Sequence, residues 1–98
     1  MRSSTAIAML PIRWRPEARL QLSAITHDIA RRNPAAADRL GAAIKHTVSQ
    51  LPGHPHIYRP GRMEGTREAI VHPNYILVYR VGDAIEILSI LHARQQYP

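Results

Sequence analysis

GTREAIVHPNYILVYRVGDAIEILSILHARQQYP, residues 65–98, holds two turn signals that separate three apolar β runs, with a charged, aromatic tail behind them. The first run, Arg67 to Val71, stops at His72, Pro73 and Asn74, because proline fixes φ and removes a ladder donor. Tyr75 to Val81 is the second run. Gly82 and Asp83 tolerate the positive φ of a tight hairpin, and Ala84 to His92 is the third run. The result is an antiparallel meander with Arg67, Arg80, His92 and Arg94 on its strands or just after them.

Ahead of the meander, Ile12 to Trp14 reads as a first strand. Pro16 follows at a helix first-turn position, where its missing N–H costs nothing. Ala18, Leu22, Ile25 and Ile29 recur at helical spacing and form one apolar stripe running to about Arg32. Asn33 and Pro34 restart the chain as an N-cap and a first-turn proline. A second helix then carries Leu40, Ile44, Val48 and Leu51 on one face and ends before Pro52 and Gly53. A connection this tight implies an antiparallel helical hairpin, which lays both stripes on the same face of the sheet. The expected fold is therefore α+β, in the order β-α-α-β-β-β, with the hairpin packed on one face of a small antiparallel sheet.

The strands at Tyr75 to Val81 and Ala84 to Leu91 are apolar on both faces. Strict alternation puts Ile85, Ile87 and Leu91 on one side and Leu88 and Ile90 on the other. A hairpin covers only one face, so the other needs the C-terminal tail, the loop at 52–64, a second copy of the chain or a bound segment.

With 98 residues the chain is one domain that buries roughly 60–65% of its extended-chain surface, so partner-dependent stability is reasonable. Zero cysteines excludes a disulfide framework and thiol chemistry, and no apolar run reaches the length of a membrane span. A reducing, cytoplasmic setting fits. The net charge is +6, and 12 of the 13 basic residues are arginine, with Lys45 the lone lysine. That balance favours acidic partners, although many small domains are basic for no functional reason. No lysine-rich or aromatic-interleaved run names a groove binder. Residues 1–10, MRSSTAIAML, have too short an apolar run and no cleavage pattern for a signal peptide. They are expected to be a dispensable extension ahead of a domain at 11–98.

Little in the sequence points to a reaction centre. His54 and His56 lie in a proline-rich loop without a neighbouring carboxylate or cysteine, so no metal site is expected. No nucleophile elbow, P-loop or glycine fingerprint is present, so no cofactor is expected. His27 and His46 fall within helices and His72 in a turn.

The segments RWRPEA (13–18), NPAAADRL (33–40), RPGR (59–62), TREAIV (66–71), YILVYRV (75–81) and IEILSILHARQQ (85–96) occur in this order across nearly everything after residue 11. In that order the chain resembles the RelE/ParE superfamily of toxins from bacterial type II toxin–antitoxin modules, and the ParE branch more closely. The ParE resemblance implies a growth inhibitor that poisons DNA gyrase by binding. It also implies neutralisation by a cognate antitoxin, folding over the helices and the sheet near Leu22, Ile25, Ile29, Tyr75 and Tyr79, in an assembly as large as a heterotetramer. His92, Arg94 and Tyr97 are the expected target-binding residues.

The RelE alternative is a ribosome-dependent mRNA endoribonuclease. It would draw on Arg67 and Arg80 for charge, His92 and Tyr97 for proton transfer and Arg94 for phosphate. Ala69 and Val71 stand where ribonuclease members often place a lysine and an arginine, which favours the gyrase reading. A third alternative is an inactive homologue that acts only as an antitoxin-binding module. For Arg67 and Arg80 a scaffold role is favoured over catalysis, with Arg80 paired across the hairpin to Glu86.

Overall fold

The computed structural model describes residues 9–95 and residue 97. In chain order the elements are β1 (Ile12–Trp14), α1 (Pro16–Ala30), α2 (Pro34–Gln50), β2 (Arg59–Pro60), β3 (Thr66–His72), β4 (Tyr75–Val81) and β5 (Ile85–His92). They form one five-stranded sheet in the order β1-β5-β4-β3-β2. The fold class is the expected α+β arrangement, with a helical hairpin against the meander β3-β4-β5. The sheet is mixed rather than wholly antiparallel, because β1 pairs in parallel with β5, Ile12 opposite Ile85 and Trp14 opposite Ile87. The chain between them, the helical hairpin followed by β2, β3 and β4, far exceeds the crossover length that a parallel pair needs.

Most of the expected extension, residues 1–8, lies outside the described residues. Its last two residues differ from one another. Met9 is exposed, whereas Leu10 packs against the core, and the Pro11 carbonyl accepts a hydrogen bond from the Ile85 amide at 2.8 Å.

Both helices begin as their prolines indicate. Arg15, extended, precedes Pro16, and its amide donates to the Ile87 carbonyl at 3.0 Å, which fixes the start of α1 to the sheet. The Asn33 side chain accepts from the Ala36 amide at 3.1 Å and caps α2. α1 lies over β5, where Gln21 Oε1 accepts from the Ile90 amide at 2.8 Å, and α2 lies over β3. Between helices and sheet sit Ala18, Leu40, Ile44, Val48, Leu51, Ala69, Leu77, Tyr79, Ile85, Ile87 and Ile90.

A β-bulge changes the side assignments expected for β5. Val78 pairs with Ser89 and Tyr79 with Ile87, so Leu88 has no partner on β4. One extra residue reverses the alternation beyond it. Ile90 therefore joins Ile85 and Ile87 beneath the helices, while Leu91 moves to the opposite face with Leu88, Ile76 and Val78. Strict alternation would have grouped Leu91 with Ile85 and Ile87. The second face is partly covered from within the chain, because Ala93 and Tyr97 of the tail pack onto that smaller apolar cluster. Ile70, on the same face, stays 59% exposed.

Candidate functional site

On the face away from the helices two carboxylates organise a set of arginines. Glu68, in the middle of β3, is only 3% exposed. Its Oε1 accepts from the Arg59 guanidinium at 2.9 Å, and its Oε2 accepts from the Arg62 amide at 3.3 Å and lies 3.7 Å from the Arg62 guanidinium. The turn that brings Arg59 and Arg62 to the same carboxylate is tight. The Gly61 amide donates to the Thr66 carbonyl at 2.7 Å, and a Cβ at residue 61 would collide with Thr66 Oγ1.

Glu86 of β5 is the second carboxylate, 3.4 Å from Arg15 and 3.6 Å from Arg80, its cross-strand partner. These pairs are half-exposed, so they order the side chains more than they stabilise the fold. Tyr97 lies between the two groups. Its ring takes the Arg62 guanidinium at 4.5 Å from the centroid, a cation–π contact, and its buried hydroxyl has no hydrogen-bond partner among the described residues. Beside it opens a cavity of about 190 Å³ lined by Arg15, Glu17, Met63, Val78, Arg80 and Tyr97 among others. The arrangement is a frame of guanidinium groups around an aromatic ring on an apolar floor, suited to holding an anionic or polar surface.

The residues singled out from sequence fall at three separate places. Arg80 and Tyr97 share the cavity. Arg67 points to the helix side, where its Nη1 donates to the carbonyls of Tyr58 at 2.7 Å and His56 at 3.3 Å and so ties down the loop after α2. It thus pairs with carbonyls, while the neighbouring Glu68 carboxylate is held by Arg59 and Arg62. His92 and Arg94 lie at the opposite end of β5, where His92 Nδ1 accepts from the Arg94 amide at 3.1 Å.

Of the residues expected to meet an antitoxin, Leu22, Ile25, Ile29 and Tyr75 are half-buried at the edge of the main core. Leu22 also lines an open groove of about 720 Å³ between α1 and α2, with Thr26, Ala37, Gly41 and Lys45. Tyr79 has no exposed surface. It lies edge-on to Tyr58 at 6.5 Å, and its hydroxyl donates to the Pro55 carbonyl at 2.9 Å. Burial raises its pKa above the ordinary 10.0, partly opposed by the nearby charge of Arg67. Alternation along β4 puts this ring under the helices and leaves it nothing to offer a partner in this conformation.

Sequence reading did not single out Arg15, Arg59, Arg62 or Glu68 as site residues. The one local signal for Glu68 is a carboxylate in the middle of an apolar strand a few residues after RPGR. Among the described residues no group of three or more histidine, aspartate or glutamate side chains could hold a metal ion, and no helix is long and apolar enough to cross a membrane.

Comparison with known proteins bears on this geometry. Residues 12–97 match the family described as ParE toxin of type II toxin-antitoxin system, parDE. The toxin-named protein Y4kP of Sinorhizobium fredii is 40% identical over 88 residues, which cover 89% of this chain and 92% of that protein. Among solved structures, the chromosomal ParDE system from P. aeruginosa superposes with a TM-score of 0.75 at 25% identity, over 86% of this chain and 96% of that one. The YoeB dimer from Staphylococcus aureus shares the fold with a TM-score of 0.63 at 17% identity, over 92% of this chain and 100% of that one. A fold of two helices on one face of this meander, matched by family from β1 to Tyr97, identifies the chain as a member of the ParE toxin family of type II toxin–antitoxin systems.

Proposed function

We propose that this toxin inhibits growth by binding DNA gyrase, without chemistry of its own, and that a cognate antitoxin neutralises it in the cytoplasm. Family membership implies the antitoxin partner. The observation that carries the binding reading is the dispersal of the candidate catalytic groups. Acid–base cleavage of RNA needs a proton acceptor, a proton donor and cations converging on one phosphate. Arg67 is committed to loop carbonyls on the helix side, His92 and Arg94 stand at the far end of β5, and Arg80 is paired with Glu86. What remains together on the open face is the arginine frame around Tyr97, which suits an acidic contact surface such as a protein–DNA complex presents. His92 and Arg94, at the far end of β5, would add a second contact point, and Leu22, Ile25, Ile29 and Tyr75 border the helical surface proposed for the antitoxin.

The shared cavity of Arg80 and Tyr97 favours one competing reading, ribosome-dependent mRNA cleavage. Purified toxin decides between them. Inhibition of gyrase supercoiling with accumulation of cleaved DNA, reversed by antitoxin, is the expected result. Unaffected gyrase together with codon-phased cuts in translated mRNA would overturn the gyrase reading in favour of the ribosome.

A further inference from the structure

His72 and His92 do the same job at one end of the sheet. His72 Nδ1 accepts the amide of Asn74 at 3.0 Å, and His92 Nδ1 accepts the amide of Arg94 at 3.1 Å. In both cases a side chain accepts from the backbone two residues on, as the carboxamide of an Asx turn does. The two histidines lie in one row across the sheet, each opposite Tyr75. The Tyr75 ring is 5.7 Å from His72 and 5.5 Å from His92. Their turns are also joined, since the Ala93 amide donates to the Asn74 carbonyl at 2.7 Å. The β3–β4 turn and the start of the tail are therefore one hydrogen-bonded unit, and the tail runs on from it to Tyr97 against Arg62.

An imidazole nitrogen accepts only while unprotonated, and in the cation both nitrogens are donors. A proton on Nδ1 would set N–H against N–H at each turn. The groups facing the pair are the Tyr75 ring from β4 and, from the tail, the backbone amide of Arg94. Among the described residues neither histidine has a carboxylate within 4.0 Å to favour a new positive charge.

We propose that His72 and His92 form a proton-operated clamp that fixes the β3–β4 turn and the adjoining start of the tail at Arg94 while neutral, and loosens them on protonation. The clamp is a property of the isolated toxin. Its effect on target binding rests on the contact role proposed above for Arg94. The sign follows from the acceptor requirement: each bond needs an unprotonated Nδ1, so both are present at higher pH and are lost as pH falls. Losing one net hydrogen bond shifts a local closed-to-open ratio by about twofold to tenfold.

The test uses isotope-labelled, full-length toxin and the His72→Asn/His92→Asn double variant, whose carboxamides accept from the same amides and do not titrate. The expected result is that protection of the Asn74 and Arg94 amides, referred to unstructured-chain exchange at each pH, falls by about twofold to tenfold per bond between pH 8 and pH 5. The double variant should keep its protection. Imidazole nitrogen spectra of the unaltered toxin give a check that needs no variant, with Nδ1 of both histidines unprotonated at pH 8. A proton on Nδ1 at pH 8, pH-independent protection in the unaltered toxin, or an equal loss in the double variant would each overturn the clamp. Gyrase inhibition measured on the same samples separates the two claims, because a working clamp without gyrase inhibition at any pH refutes the target and leaves the clamp standing.

Discussion

Replacing Glu68 by alanine should be among the most damaging single changes on the open face. The carboxylate is 3% exposed and holds the Arg59 guanidinium, the Arg62 guanidinium and the Arg62 amide. Removing one partner of a fully buried ion pair costs about 3–5 kcal/mol, whereas an exposed pair is worth at most about 1 kcal/mol. Here the freed guanidinium groups are 54% and 43% exposed, so water can take them back and the loss should fall between those limits, at about 2 kcal/mol. For a domain of this size that is a fall of about 8–16 °C in Tm. Glu68→Gln keeps the volume and one acceptor and should lose about half as much. Thermal melts followed by circular dichroism at fixed pH and salt measure both. Because Arg62 links Glu68 to Tyr97, a double-mutant cycle of Glu68→Ala with Tyr97→Ala should show coupling of about 0.5 kcal/mol or more. A Tm drop below about 2 °C for Glu68→Ala, the size of an ordinary surface substitution, would refute the idea that this carboxylate organises the face.

Three further outcomes are expected. Arg94→Ala should reduce toxicity in an induced-expression assay while Tyr97→Phe leaves it nearly intact, since the proposed role is contact and not proton transfer. Loss of toxicity in a folded, antitoxin-binding Tyr97→Phe protein would contradict this. Tyr79→Phe should cost about 1 kcal/mol at neutral pH by leaving the Pro55 carbonyl without its donor. It should also flatten alkaline destabilisation: burial raises the Tyr79 pKa, so its neutral form contributes stability that is complete below the ordinary value and lost as pH rises through the raised one. Equal losses of Tm between pH 9 and 11 in the two proteins would show that another group is responsible. Finally, an antitoxin peptide at a hundredfold excess over its Kd should stabilise the toxin by about 2.7 kcal/mol, and an unchanged Tm would deny binding to the native state.

The elements announced by proline, asparagine and glycine were the legible ones. Pro16 and Pro34 open the helices, Asn33 caps the second, and the breaks at 72–74 and 82–83 bound the strands, because these residues act through local backbone geometry. The Arg80–Glu86 pairing was readable for the same reason, as a short hairpin fixes its own register. The bulge at Leu88 was not. In IEILSILH apolar residues stand on both sides of Ser89 at both parities, so the pattern does not show where the parity changes. The parallel seating of β1 escaped as well, since three residues specify no partner. Glu68 and its arginines are near in sequence, yet their convergence depends on the Gly61 turn and on the face β3 presents. Of the named site residues, Arg80 and Tyr97 share the open face, while Arg67, His92 and Arg94 lie elsewhere, because strand parity and the bulge decide which way each one points.

The place of β5 in the sheet has a consequence for how the toxin is made. β5 is the last strand to be synthesised, and it lies between β1, the first, and β4. A growing chain can therefore form its helical hairpin early, but β1 lacks its partner and the core lacks Ile85, Ile87 and Ile90 until β5 itself has been made. Such long-range closure is slow compared with local helix formation. A ribosome that stalls or terminates before β5 releases a polypeptide without a completed sheet, so the surface proposed to injure the cell exists only once that strand has been made.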